Sequence, residues 1–278
     1  MANGSGTGRL TAPGVVLGGM LLVLILVSIW LFMSDRFWFP PLASEHGGAV
    51  DRVFVAVLIA TGIAFIAVQG LLAWFVVRYG ESGEERASYW HDNPKAEALL
   101  IGVTAVTLTV LVFMGQRVWA DIYFADRPED ALLVEVTGQQ FQWQIRYTGP
   151  DGEFGTTFDP DHIDGVVNFI GLDRADPAGA DDILTAGALH VVRGQPVRAI
   201  LRSTDVIHAF HIPQLRVKQD AVPGLGIEIW FTPTVVGEYE IACAELCGLN
   251  HFAMRGFLTV HEDQAGLDQW LEEQLAFQ

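Results

Sequence analysis

Two thiols, an imidazole and a thioether fall within twelve residues of the segment Cys243-Ala-Glu-Leu-Cys247-Gly-Leu-Asn-His251-Phe-Ala-Met254. Sulfur donors of this kind favour copper, imidazole suits copper or zinc, and a weakly held methionine is a habit of electron-transfer copper rather than of structural zinc. The chemistry read from these residues is therefore that of a copper site. One loop does not complete it, and His208, in Asp205-Val-Ile-His-Ala-Phe-His-Ile-Pro213, is the upstream candidate. His211 competes for the role, but in an extended segment residues 208 and 211 face opposite sides, so only one reaches the site.

Two cysteines four apart have three uses: binding one metal, closing a loop disulfide, or bridging a pair of metals. A disulfide requires a suitably bent loop, because sulfur geometry is demanding, and it leaves His251 and Met254 unexplained. A single blue-copper site takes one thiolate, two imidazoles and a methionine, so the second cysteine is surplus to it. Two thiolates shared by two copper ions use every residue. A membrane-anchored mononuclear copper protein, for delivery or sensing, stands as the alternative, and the metal count separates the two.

The elements that must carry this loop divide the chain. Apolar residues make up 51% of it, high for a soluble protein, and the excess comes from three charge-free runs, Gly14 to Met33, Val53 to Val77 and Ala98 to Gln116. Each is long enough to span a bilayer as a helix. The first, preceded by Arg9, also reads as a signal peptide, although it is longer than the usual apolar core of one and Pro41-Leu42-Ala43 is a poor cleavage site. Arg78, Arg86 and Lys95 lie between the second and third runs, against Arg36 and Arg52 between the first and second. That bias places the 78–95 loop in the cytoplasm and everything after the third run outside.

Beyond a polar connector from Asp121 to Asp130 the period changes. Ala131 to Gly138, Phe141 to Tyr147, Leu189 to Val191, Val197 to Leu201, Ile227 to Phe231, Tyr239 to Ala242 and Phe257 to Val260 are strand-like, and strands so short and so spaced indicate a sandwich or barrel. Asp159 to Ile183 is an acidic loop whose Asp159, Asp161 and Asp164 miss the spacing of a calcium loop. Leu267, Trp270, Leu271 and Leu275 give an amphipathic helix over 263–275. Almost all of the net charge of −17 lies from Asp121 onward. Such a surface repels nucleic acid and steers a basic partner.

The cluster resembles the dinuclear copper motif, CuA, of cytochrome c oxidase subunit II, a Cys-x-Glu-x-Cys-x-x-x-His-x-x-Met segment with an upstream histidine, matched at His208, Cys243, Glu245, Cys247, His251 and Met254. The resemblance implies two copper ions bridged by Cys243 and Cys247, a terminal imidazole from each of His208 and His251, a weak Met254 and the Glu245 backbone carbonyl. It also implies that the Glu245 carboxylate reaches a magnesium or manganese ion shared with the catalytic subunit.

The implied architecture is a transmembrane helical hairpin, or three helices if the first is retained, followed by an all-β cupredoxin-like Greek-key sandwich. Its segments are residues 1–52, 53–120, 121–262 and the helix 263–278. His91-Asp-Asn93-Pro-Lys-Ala-Glu97 resembles a family segment in which the glutamate opens a proton path, although Glu97 also suits a helix start. Asp205 and the Lys218 to Gly224 segment are similar too. Two departures stand out. Phe141, in Gly138-Gln-Gln-Phe141-Gln-Trp143, occupies the position where the family has the tryptophan that receives the electron, with Trp143 two residues on, and Leu225 replaces an arginine after Pro-Gly.

The resemblance thus implies the electron-transfer subunit of a proton-translocating respiratory haem-copper oxidase, multi-pass in the cell membrane with its copper domain outside. It would take electrons from a cytochrome c-like donor and pass them to haem in a catalytic subunit where oxygen is reduced. A quinol oxidase subunit lacks these ligands, nitrous oxide reductase carries a propeller this chain has no length for, and no Cys-x-x-Cys-His motif for a fused c-type haem occurs.

Overall fold

The structure is a computed structural model and describes residues 12–34, 38–79, 92–126, 128, 130–157 and 170–276. His91, Arg9, Arg36, Arg86 and the trio Asp159, Asp161 and Asp164 lie outside the described residues. Two compact units form, one of residues 1–38 and 51–117 and the other of residues 39–50 and 118–278.

The first unit is built on three apolar helices, α1 (Ala12–Met33), α2 (Gly47–Arg78) and α3 (Pro94–Tyr123). At about 1.5 Å per residue even the 22-residue α1 is about 33 Å long, enough for a hydrocarbon core of roughly 30 Å. Their large side chains point outward, Leu99, Leu100 and Ile101 among them, as expected of helices covered by lipid or by other helices rather than by water. In α1 the buried Gly14 and Gly18 lie one turn apart. A Cβ on Gly18 would strike Val77 of α2, so the missing side chain is what lets the two backbones approach.

The hairpin helices have defined starts. Ser44 Oγ accepts from the Gly47 N–H at 3.2 Å and opens α2. Asn93 Oδ1 accepts from the Ala96 N–H at 3.2 Å, Pro94 follows with its φ already helical, and the Glu97 carboxylate accepts from the Asn93 N–H at 3.4 Å. The helices run past the charge-free stretches at both outer ends: α2 begins at Gly47 and α3 continues to Tyr123.

The second unit is a sandwich of two five-stranded sheets. Its strands are β1 (Leu132–Gln139), β2 (Gln142–Tyr147), β3 (Ile183–Ala186), β4 (Ala188–Val192), β5 (Val197–Ser203), β6 (His208–Ile212), β7 (Val217–Ala221), β8 (Ile227–Phe231), β9 (Gly237–Cys243) and β10 (Arg255–His261). One sheet has the order β3-β2-β1-β5-β8 and the other β4-β10-β9-β6-β7. Most neighbours are antiparallel, but β1 pairs with β5, and β10 with β4, in parallel. Val134, Val136, Ile145, Leu201, Phe210, Ile212, Ile241 and Leu258 fill the space between the sheets with no exposure above 0%. Burying each such side chain contributes about 1.5–3 kcal/mol.

Two further pieces complete this unit. The segment before α2 enters the core: Ala43 is buried, its N–H donates to Gln214 O at 2.9 Å and its carbonyl accepts from the Thr234 N–H at 2.9 Å. Helix α4 (Gln264–Ala276) starts on an Asp263 cap and buries Leu267, while Trp270 stacks on the His190 ring at 3.6 Å and 8°.

The strand directions define two ends. β1 finishes at Gln139 beside the β5–β6 and β9–β10 loops, where Thr204 N–H donates to Gly138 O at 3.2 Å. The register Val134↔Tyr147 and Tyr147↔Ile183 puts Asp151 and Asp181 at the opposite end, joined there by Glu262 and Asp263 after β10.

Candidate metal centre

Strand pairing builds the site. β6 pairs with β9 so that Phe210 faces Cys243, which brings His208, at the start of β6, alongside the last residue of β9. The β9–β10 loop then folds back on itself: Ala244 N–H donates to Ala209 O, Cys243 N–H to Met254 O and His251 N–H to Gly248 O. Gly248, at φ 140°, is forced to be glycine twice over, because a Cβ there would also press on Gln140 Nε2 at 2.8 Å and the Phe141 ring at 3.1 Å.

The four donor side chains, His208, Cys243, Cys247 and Met254, are buried, and His251 is partly so. His208 Nδ1 lies 3.9 Å from Cys243 Sγ, the two Sγ atoms are 3.8 Å apart, His251 Nδ1 is 3.7 Å from Cys247 Sγ, and Met254 Sδ is 3.8 Å from Cys247 Sγ. The Glu245 carbonyl accepts from Cys243 Sγ at 3.2 Å, while its carboxylate is turned to the exposed surface. Both thiols are free, and 3.8 Å is far beyond a disulfide bond of about 2.05 Å. The donor atoms of His208, Cys243 and Cys247 all lie within 4.8 Å of one another.

Electrostatics prepare the pocket for a cation. Burial, the hydrogen bond to Cys243 and its nearby charge push the Cys247 thiol up to about 11, so a metal must displace its proton to bind. His208 Nε2 lies 2.8 Å from Asp205 Oδ1, which assigns the proton to Nε2 and leaves the Nδ1 lone pair aimed at the sulfurs. Burial works against ionising Asp205, but hydrogen bonds from the Gln140 N–H, His208 and the Val206 N–H outweigh it and hold its carboxyl below the usual range. These donors and spacings fit copper.

Of the other sequence candidates, His211 is turned away, its Nδ1 2.8 Å from Val217 O. Trp143 is buried, its ring centroid 5.9 Å from that of His208, whereas Phe141 lies half-buried against Gly248. Glu97 is at the start of α3, in the other unit. Sequence reasoning missed Gln140, whose Nε2 donates to Cys247 O, and the part played by Asp205. A carboxylate three residues before a ligand histidine was the available signal for Asp205, but nothing local marks Gln140.

A β-sandwich that follows apolar spanning helices and gathers soft ligands at one loop end defines a membrane-anchored, cupredoxin-like metal domain. The family model for the periplasmic domain of cytochrome c oxidase subunit II matches residues 132–260. The chain is 37% identical over 259 residues to the alternative cytochrome c oxidase subunit 2 of Bradyrhizobium diazoefficiens, covering 93% of this chain and 91% of that one. It is 30% identical over 263 residues to cytochrome c oxidase subunit 2 of Thermostichus vulcanus, covering 86% and 79%. The crystal structure of the periplasmic domain of subunit II from Bradyrhizobium japonicum superposes with a TM-score of 0.39 at 28% identity, over 54% of this chain and 96% of that one.

This chain belongs to the cytochrome c oxidase subunit II family. It is a subunit of a cytochrome c oxidase with a respiratory electron-transfer role, a membrane protein with an extracytoplasmic domain.

Proposed function

We propose that this chain receives electrons one at a time from a cytochrome c-like donor at a dinuclear copper centre and delivers them to haem in the catalytic subunit, where oxygen is reduced. The observation that carries the two-metal reading is the pairing of donors. Each imidazole Nδ1 sits beside a different thiol, His208 by Cys243 and His251 by Cys247, with the thiols adjacent between them. Cys243 and Cys247 would bridge, His208 and His251 would each hold one copper, and Met254 and the Glu245 carbonyl would be weaker ligands.

Copper held there supplies reversible one-electron exchange. The chain's part is to keep the ligands still: strand pairing, the Gln140 bond to Cys247 O and the Asp205 bond to His208 fix their orientation. Of the two aromatic candidates for electron uptake, Phe141 is favoured because it is partly exposed at the copper loop, whereas Trp143 is 1% exposed. The Glu245 carboxylate would hold magnesium or manganese together with the catalytic subunit, and Glu97 would open a proton path into it. The domain sits outside the cell membrane, crossed by α2 and α3 and by α1 where that helix is retained.

The test is metal analysis and paramagnetic resonance of the full chain in detergent. Two copper ions per chain and hyperfine splitting from two copper nuclei are expected, with that signature lost in Cys247→Ser. One copper, or zinc, overturns the dinuclear reading.

A further inference from the structure

The candidate ligands divide by what holds them. His208 opens β6 and Cys243 closes β9, and these strands are fastened to each other by the pairs Phe210↔Cys243 and His211↔Ala242 and by the Ala244 N–H on Ala209 O at 3.0 Å. Cys247 and His251 instead ride on the stretch 246–253, which lies outside every strand. Its backbone bonds close on the loop itself: His251 N–H donates to Gly248 O at 3.1 Å, Ala253 N–H to Asn250 O at 2.9 Å and Met254 N–H to His251 O at 3.2 Å. Packing adds little, because the largest side chains of the stretch, Leu246, Leu249 and Phe252, are 78%, 96% and 80% exposed.

Among the described hydrogen bonds, sulfur contacts apart, one ties this stretch to a different part of the domain, the bond from Gln140 Nε2 to Cys247 O. Gln140 is itself well placed to hold something. It sits on the turn between β1 and β2, closed by the pair Gln139↔Gln142, and its N–H donates to Asp205 Oδ2 at 2.7 Å. The other oxygen of that carboxylate, Oδ1, lies 2.8 Å from His208 Nε2. A single chain of contacts, His208 to Asp205 to Gln140 to Cys247, therefore joins the strand-held imidazole to the loop. Gly248 fits the same turn closely, since a Cβ there would meet Gln140 Nε2 at 2.8 Å.

Resting on the dinuclear reading above, we infer that Gln140 is a positioning residue of the copper centre: through its amide on Cys247 O it keeps the loop-borne half, Cys247 and His251, in register with the strand-borne half, His208 and Cys243. With both halves fixed alike, the two imidazoles stand symmetrically about the thiols, each beside its own sulfur at 3.9 and 3.7 Å. That near-equality is what lets one electron be shared by two metals instead of settling on one. Without the amide the stretch 246–253 is held at its two ends and by its sulfurs, and its half drifts while the strand half stays. One neutral hydrogen bond corresponds to about a two- to ten-fold change in the equilibrium it biases.

The experiment uses the full chain in detergent, both copper-loaded and stripped of copper, as wild type, Gln140→Met, Gln140→Lys and Gln142→Met. Methionine keeps the length of glutamine without a donor, lysine restores a donor of similar reach, and Gln142, on the same turn, bonds to Gln139 at 3.4 Å and serves as control. In the stripped chain, alkylation of Cys247 is expected to quicken about two- to ten-fold in Gln140→Met, with Cys243 unchanged. In the loaded chain, Gln140→Met is expected to retain two copper ions while the paramagnetic resonance splitting passes from equal to unequal for the two nuclei. Gln140→Lys is expected to restore both readouts, and Gln142→Met to alter neither.

An unchanged splitting in Gln140→Met overturns the inference, and so does alkylation that quickens for neither thiol or for both alike, since the loop half would then not depend on the amide. Failure of lysine to restore the pattern overturns it too, because the effect would lie in the shape of the side chain and not in its donor. A wild-type chain that holds one copper overturns the dinuclear reading instead, and the thiol rates, measured without metal, separate that failure from this one.

Discussion

Asp205 and His208 form the one ligand pair in which a carboxylate backs an imidazole, and His251 has no such partner among the described contacts. The two ends of the site are therefore unequal, one imidazole being oriented by a carboxylate and the other not. Asp205→Asn keeps a hydrogen-bond acceptor but removes the anion, and such outer partners are worth about 10- to 100-fold in metal affinity. Copper affinity measured by competition with a chelator is expected to fall in that range, with the folded β domain intact by circular dichroism. The donor cluster itself was legible because four of the candidate ligands share one loop at fixed spacing. Gln140 and the fit of Phe141 on Gly248 were not, because they arise where two loops about a hundred residues apart meet, and no local pattern encodes that.

At the level of elements, α4 is held by an aromatic stack whose base is titratable. His190 lies under Trp270, with Nδ1 2.9 Å from His261 Nε2 and its backbone bonded to the Tyr147 hydroxyl. Burial, and then the neighbouring His261, lower its pKa to about 4. The unfolded chain, with His190 near 6.5, binds the proton more readily. Stability from this group is thus whole above pH 6.5 and declines as the pH falls toward 4. Thermal unfolding followed by tryptophan fluorescence is expected to show a falling midpoint across that window, and His190→Gln is expected to flatten it.

The strands read from the sequence include β5, whose alternation is plain, and the apolar runs of β1 and β2. β3, β6 and β7 were not read as strands: β3 is only four residues long beside an acidic loop, β6 is broken by two histidines, and β7 places Lys218, Gln219 and Asp220 in succession. Pairing across the sheet, rather than local pattern, makes all three of them strands.

For the whole molecule, the proposed function would assign proton uptake and electron uptake to different units, since Glu97 lies in the helical one and the candidate copper ligands in the β one. Glu97→Ala removes one backbone cap at an exposed helix start, worth about 0.5–2 kcal/mol. It is expected to slow oxygen turnover of the purified oxidase while leaving the copper spectrum and the rate of copper reduction by donor unchanged. Normal turnover would reduce Glu97 to its capping role.

The segment carrying Ala43 and Ser44 is made before either hairpin helix, yet its partners Gln214, Leu215, Thr232 and Thr234 are made long after both. The sandwich is therefore sealed by its oldest piece, which has to wait outside the membrane while the hairpin threads through. A soluble fragment that begins after α3 would keep every candidate copper ligand and still lack the segment that Gln214, Leu215, Thr232 and Thr234 hold.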